Sequence, residues 1–170
     1  MLWVNLIMDT FAAMALSSLP PESEVMKDKP RKQTDFIINR GMAFGIFGVG
    51  LLFFALMFGL LWYFERIAGV SAKELTIFFT IFVMLQWWNL FNAKTLGSSH
   101  SAFRGFLSDK GLITVLAMIL AGQWIIVEFG GKMFRTVPLS FEDWTYIIAG
   151  TSVVMIAGEL IRGIRRLAKR

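Results

Sequence analysis

Residues 41–64 read GMAFGIFGVGLLFFALMFGLLWYF, twenty-four positions without a charge, closed by Glu65 and Arg66. A helix crossing a hydrocarbon core of about 30 Å needs roughly 20 such residues, so this run predicts a membrane span. The rest of the chain agrees. Of its 170 residues 56% are hydrophobic, 17 are Phe, and the mean hydropathy is +0.62, well outside the range of soluble domains. There is no cysteine, which excludes a disulfide framework and a thiolate metal site. The net charge of +5 does not point to nucleic acid, because the cations lie between apolar runs rather than along a basic stripe.

Working outward from this run, four further apolar segments can be marked. The expected fold class is all-α, a polytopic membrane bundle of five transmembrane helices at about 2–19, 38–64, 75–93, 112–129 and 144–161, in one domain covering residues 1–170. The first stops at Pro20-Pro21, since a proline pair cannot continue a helix. A cleaved signal peptide is a poor reading of it: Asp9 interrupts the apolar region and no basic segment precedes it. Thirteen of the 17 cations fall in residues 20–40, in the stretch from Lys94 to Lys110, or from Arg162 onward. By the positive-inside rule those regions are cytoplasmic, which predicts an N-terminus outside and a C-terminus inside. Trp62, Tyr63 and Trp144 sit at segment ends, where interfacial aromatics are expected.

Polar groups within the spans are the functional candidates. The first span carries Asn5 and Asp9, four residues apart and so on one helical face. A carboxylate at membrane depth costs about 2.5–3.5 kcal/mol on insertion scales, and tolerated ones face a pathway. Carboxylate and amide oxygens together suit a hard cation such as calcium. In the third span Gln86, Asn89 and Asn92 recur at intervals of three along one stripe. They read either as amide oxygens facing the same cation, Gln86 being the deepest of the three and a weaker candidate ligand than Asn5 and Asp9, or as bonds between helices. Gly41 and Gly45 read as helix packing, His100 as a solvated loop residue, and Glu159 as an anchor paired with Arg162 three residues on. No phosphate-binding glycine loop, nucleophile with a base, or His/Cys cluster occurs, so the chain has no catalytic residue to offer.

At this point the order of motifs resembles a family. L-W-V-N-L-I-M-D-T from Leu2, then A-L-x-x-x-P-P and K-P-R at Lys29 to Arg31, is similar to the sixth transmembrane helix and following loop of P-type calcium-transporting ATPases, plasma-membrane-type branch. Q-W-W-N-L-F-N-A-K from Gln86 resembles their eighth helix, and V-E-F-G-G-K-M-F from Val127 the loop after their ninth. The resemblance covers nearly the whole chain and implies helices six to ten, the C-terminal membrane half of an ATP-driven pump. It places the transported Ca2+ on Asn5 and Asp9. Two-site pumps carry threonine just before that aspartate and glutamate on the eighth helix; here stand Met8 and Gln86, the one-site pattern.

The resemblance further implies a translocase whose phosphorylation and nucleotide domains, with their ATP and Mg2+, lie outside this chain. The expected partners are the lipid bilayer and the N-terminal half of the same pump, which would dock on residues 20–40, with no nucleic acid. The expected location is integral in the plasma (inner) membrane. On this reading the chain is a fragment or truncated product, inactive alone. The alternatives are a self-standing helical association module, or a small oligomeric channel without ATPase activity.

Overall fold

The structure, a computed structural model, describes residues 2–19, 38, 40–95 and 100–168. Most of the expected docking stretch, residues 20–37 and 39, lies outside the described residues. The described chain is helical, with no strand among these residues, as an all-α membrane bundle requires. It divides into two units, Met1–Leu19 with Val70–Arg170, and Pro20–Gly69.

The smaller unit holds α2 (Arg40–Tyr63), which runs into a π turn at Phe64–Ala68. Gly69 ends it at φ +82°, a left-handed value that a side chain would disfavour. Large apolar side chains such as Phe47, Leu51 and Phe54 lie exposed along α2. In water that would be a severe liability; in lipid it is the normal surface of a spanning helix.

The larger unit contains α1 (Leu2–Ser17), α3 (Ala72–Lys94), α4 (Lys110–Phe129), the single turn α5 (Gly131–Phe134), α6 (Phe141–Thr151) and α7 (Val153–Ala168). Two of its helices start on capping boxes. Ser71 Oγ accepts from Lys73 N at 3.2 Å while Glu74 accepts from Ser71 N at 3.1 Å. Ser140 Oγ accepts from Asp143 N at 3.1 Å while Asp143 accepts from Ser140 N at 3.1 Å. Each box satisfies orphan N–H groups of a first turn. An ion pair of 2.9 Å between Lys73 and Asp143 then ties the starts of α3 and α6 together, so the two helices run parallel.

Four helical stretches among the described residues are long and apolar enough to cross a membrane: Gly45–Ile67, Ala72–Lys94, Lys110–Phe129 and Phe141–Ile164. They overlap the segments marked at 38–64, 75–93, 112–129 and 144–161. Of the first expected span the structure describes α1, 16 residues or about 24 Å at 1.5 Å per residue. The last span is interrupted, at Ser152 between α6 and α7. Thr151 Oγ1 donates to Ile147 O at 2.6 Å and Ser152 Oγ to Ala149 O at 2.7 Å. Hydroxyls bonding back to the previous turn's carbonyls, next to Gly150, are a known cause of helix bending.

Packing in this unit centres on α3. Leu90 and Phe91 of α3 join Ala15 of α1 and Leu112, Val115 and Leu116 of α4 in one cluster. Met84, Val127, Leu139 and Ile147 form a second cluster, nearer the start of α6. Trp144, in the first turn of α6, packs against that second cluster and is half-buried. The capping box explains it, because helix begins at Phe141 and turns residue 144 toward α3.

Candidate functional site

α1 is seated by one stripe of its surface. Met8 packs on Phe79 and Val83 of α3, and Ala15 sits in the α3–α4 cluster with Ala12 and Leu16 beside it. Positions 8, 12 and 15 recur with the period of a helix, so neighbouring positions must face elsewhere. Asp9 does: it is exposed halfway along α1, and its carboxylate meets no donor or cation among the described residues. Asn5 belongs to the same helix one turn earlier, and its side chain lies outside the described residues.

Gln86 lies three residues beyond Val83 on α3, half-buried, with no hydrogen bond among the described residues. Asp9 follows Met8 on α1 and Gln86 lies three residues beyond Val83 on α3, and Met8 and Val83 belong to one apolar cluster. Among the described residues no three His, Asp or Glu side chains gather into a metal-binding group. Asp9 offers a carboxylate and Gln86 an amide oxygen, half a cage at most, since calcium takes six to eight oxygens.

The third member of the α3 stripe has a different job. Asn92 Nδ2 donates to Val154 O of α7 at 3.0 Å, and its Oδ1 accepts from Arg162 Nη2 at 3.1 Å. Arg162 is only 7% exposed and pairs with Glu159 at 2.9 Å, the anchor expected from the i, i+3 spacing. The same Glu159 oxygen accepts from Ala102 N at 2.7 Å and Ser101 Oγ at 3.2 Å. The guanidinium's charge is paired and Nη2 is bonded, which offsets much of the cost of burying it, while Nε has no acceptor among the described residues. The network thereby joins α3, α7 and the loop after α3. Trp88 adds a bond from Nε1 to Thr151 Oγ1 at 3.1 Å.

The cations of that loop are also engaged. Lys94 pairs with Asp109 and donates to Arg104 O at 3.1 Å. His100, in an exposed contact, lies beside the Arg104 guanidinium, with its two ring nitrogens 2.8 and 2.9 Å from Arg104 Nη1.

Compared with known proteins, residues 1–164 match the family described as cation transporting ATPase, C-terminus. The chain belongs to that family. Similar relatives include plasma membrane calcium-transporting ATPase 3 of Homo sapiens, 34% identical over 175 residues, covering 96% of this chain and 14% of the relative. Plasma membrane calcium-transporting ATPase 2 of Oreochromis mossambicus is 32% identical over 185 residues, covering 98% of this chain and 17% of the relative. The probable calcium-transporting ATPase 8, plasma membrane-type, of Oryza sativa subsp. japonica is 36% identical over 173 residues, covering 96% of this chain and 16% of the relative. The chain thus spans about a sixth of the length of the curated relatives it matches.

Within this cation-transporting ATPase C-terminal region, sequence reasoning missed one buried polar seam. Thr76 Oγ1 accepts from Val137 N at 3.1 Å, Thr80 Oγ1 accepts from Gln123 Nε2 at 3.1 Å, and Thr136 Oγ1 donates to Ile126 O at 2.8 Å. The seam ties α3 to α4 and to the loop beyond it. Its signal in the sequence is Gln123, a lone amide in an otherwise apolar stretch of α4.

Proposed function

We propose that this chain is the C-terminal membrane half of an ATP-driven calcium pump and supplies Asp9 and Asn5 to its ion site, with Gln86 supporting them. The observation that carries the reading is Asp9: a carboxylate halfway along α1 that is unpaired among the described residues, next to the residue that seats the helix. Its company is consistent, since relatives named calcium-transporting ATPases align along 96–98% of the chain. Ca2+ is the transported substrate. Asp9 would offset part of the cost of dehydrating it, and Asn5 would add a neutral oxygen. The remaining oxygens, the phosphorylated carboxylate and the nucleotide domain would come from the N-terminal half of the pump. The bilayer is its other partner, with α2, α3, α4 and the α6–α7 stretch as its spans.

Co-expression with a segment carrying those domains tests the reading. Calcium-dependent phosphorylation should appear only when both pieces are present, and Asp9→Asn should abolish it while membrane insertion is unchanged. Full phosphorylation in the Asp9→Asn protein would remove Asp9 from the ion site.

A further inference from the structure

The amide stripe of α3 winds round its helix. Three residues turn an α-helix through about 300°, some 60° short of a full circle. Val83, Gln86, Asn89 and Asn92 therefore step round α3 in order. Val83 shares an apolar cluster with Met8 of α1, and Asn92 donates to Val154 O of α7. Gln86 and Asn89 thus occupy the arc between the α1 side and the α7 side. The other two helices that α3 packs on in this unit take the opposite arc: Trp87 donates to Leu116 O of α4 at 3.0 Å, and Trp88 to Thr151 Oγ1 of α6.

Both amides are half-buried, and neither makes a hydrogen bond among the described residues. Their polar atoms keep accessible surface, so an approaching group can reach them. Asn89 lies six residues beyond Val83, the midpoint of the 23-residue helix. That is about 9 Å along the axis, inside a hydrocarbon half-thickness of about 15 Å. Lipid tails supply neither donor nor acceptor at that depth, and an amide there is satisfied across a contact between helices. The relatives extend far beyond this chain, which covers 14–17% of their length, so a pump of that kind brings more chain to the same membrane.

We propose that the arc of α3 at Gln86 and Asn89 is the docking surface for a membrane-spanning helix of the pump's N-terminal half, with Asn89 hydrogen-bonding a hydroxyl, amide or carboxyl side chain of that helix. The proposal rests on the reading of this chain as the C-terminal half of a pump. It gives the two like-looking amides at 89 and 92 separate tasks: Asn92 joins helices within the chain, and Asn89 joins the chain to its other half.

Photo-crosslinking on the co-expressed pump tests it. A benzophenone amino acid at position 89 should form an adduct with the segment that carries the phosphorylation and nucleotide domains. Asn89→Leu should weaken capture of that segment about three- to tenfold, the range of one bond between membrane helices, and Asn89→Gln, which keeps the amide, should largely restore it. The isolated Asn89→Leu chain should unfold no earlier than the parent, because no bond among the described residues is lost. Adducts only with lipid, with α2 of the same chain or with a second copy, capture unchanged by Asn89→Leu, or earlier unfolding of the isolated variant would each overturn the docking. Calcium-dependent phosphorylation of the unmodified pair reports on the pump reading separately. Phosphorylation without a position-89 adduct removes the docking surface alone, whereas two pieces that neither associate nor become phosphorylated remove both.

Discussion

The amide of Asn92 occupies the space that a side chain at Gly158 would need: a Cβ there would lie 1.9 Å from Asn92 Oδ1 and 2.6 Å from its Cγ. The glycine is what lets the Asn92 amide reach both Val154 O and Arg162.

Gly158→Ala should therefore expel the Asn92 amide and break both bonds. Overpacking and the lost bonds together predict a loss of about 2–4 kcal/mol, read as a lower unfolding midpoint in detergent. Asn92→Ala alone should cost less, and the double variant should recover part of the Gly158→Ala loss. A Gly158→Ala protein as stable as the parent would show that the contact is not tight.

Removing Glu159 leaves Arg162 buried without its counter-charge, whereas removing both leaves an apolar contact. Glu159→Leu should destabilise by about 3 kcal/mol, at the low end for a broken buried pair because Glu159 is itself partly exposed. Glu159→Leu with Arg162→Leu should be milder than Glu159→Leu alone. Unfolding titrations of the two proteins make the comparison, and the reverse order would sink the argument.

The chain by itself should neither hydrolyse ATP nor bind calcium tightly. Asp9, Asn5 and Gln86 fall short of the six to eight oxygens of a tight site, so the ion would stay largely hydrated. Radiocalcium binding to the purified chain should show no sub-micromolar site. In the assembled pump Asn5→Ala should weaken calcium activation less than Asp9→Asn, and Gln86→Ala least. Equal damage from Gln86→Ala and Asp9→Asn would place α3 among the direct ligands.

Because the chain has no cysteine, single-cysteine labelling can assign its sides without background. Lys110→Cys, at the start of α4, should react with impermeant reagents from the cytoplasmic face, and Lys132→Cys, just past its end, from the outside. The opposite pattern would invert the topology inferred from the cations.

What could be read from the sequence follows from what the membrane selects. Lipid demands long apolar runs with every backbone group bonded inside the helix, so α2, α3 and α4 announce themselves by composition. Asp9 and the amide stripe stand out for the same reason, being costly there. Hydropathy is blind to what lies across a helix. Gln86, Asn89 and Asn92 look alike as a stripe, and only the approach of Gly158 and Arg162 singles out Asn92 as a bond between helices. The break at Ser152 was equally hidden, since hydroxyls bonded to their own helix leave an apolar window apolar. Gln123 went unnoticed because one amide barely alters the average over α4.

The two ways of holding a helix in this unit have mechanical consequences. α3 is held to α6 and α7 at both ends, by the half-exposed ion pair of Lys73 with Asp143 and by the buried hydrogen bonds of Asn92 to Val154 and Arg162. Among the described residues α1 makes no hydrogen bond to another helix and rests on Met8 and Ala15. Apolar contact has no preferred direction, and lipid tails replace much of what is lost when it slides. Among the described residues, the helix that carries the carboxylate is thus seated by shape and the rest of the unit by bonds as well.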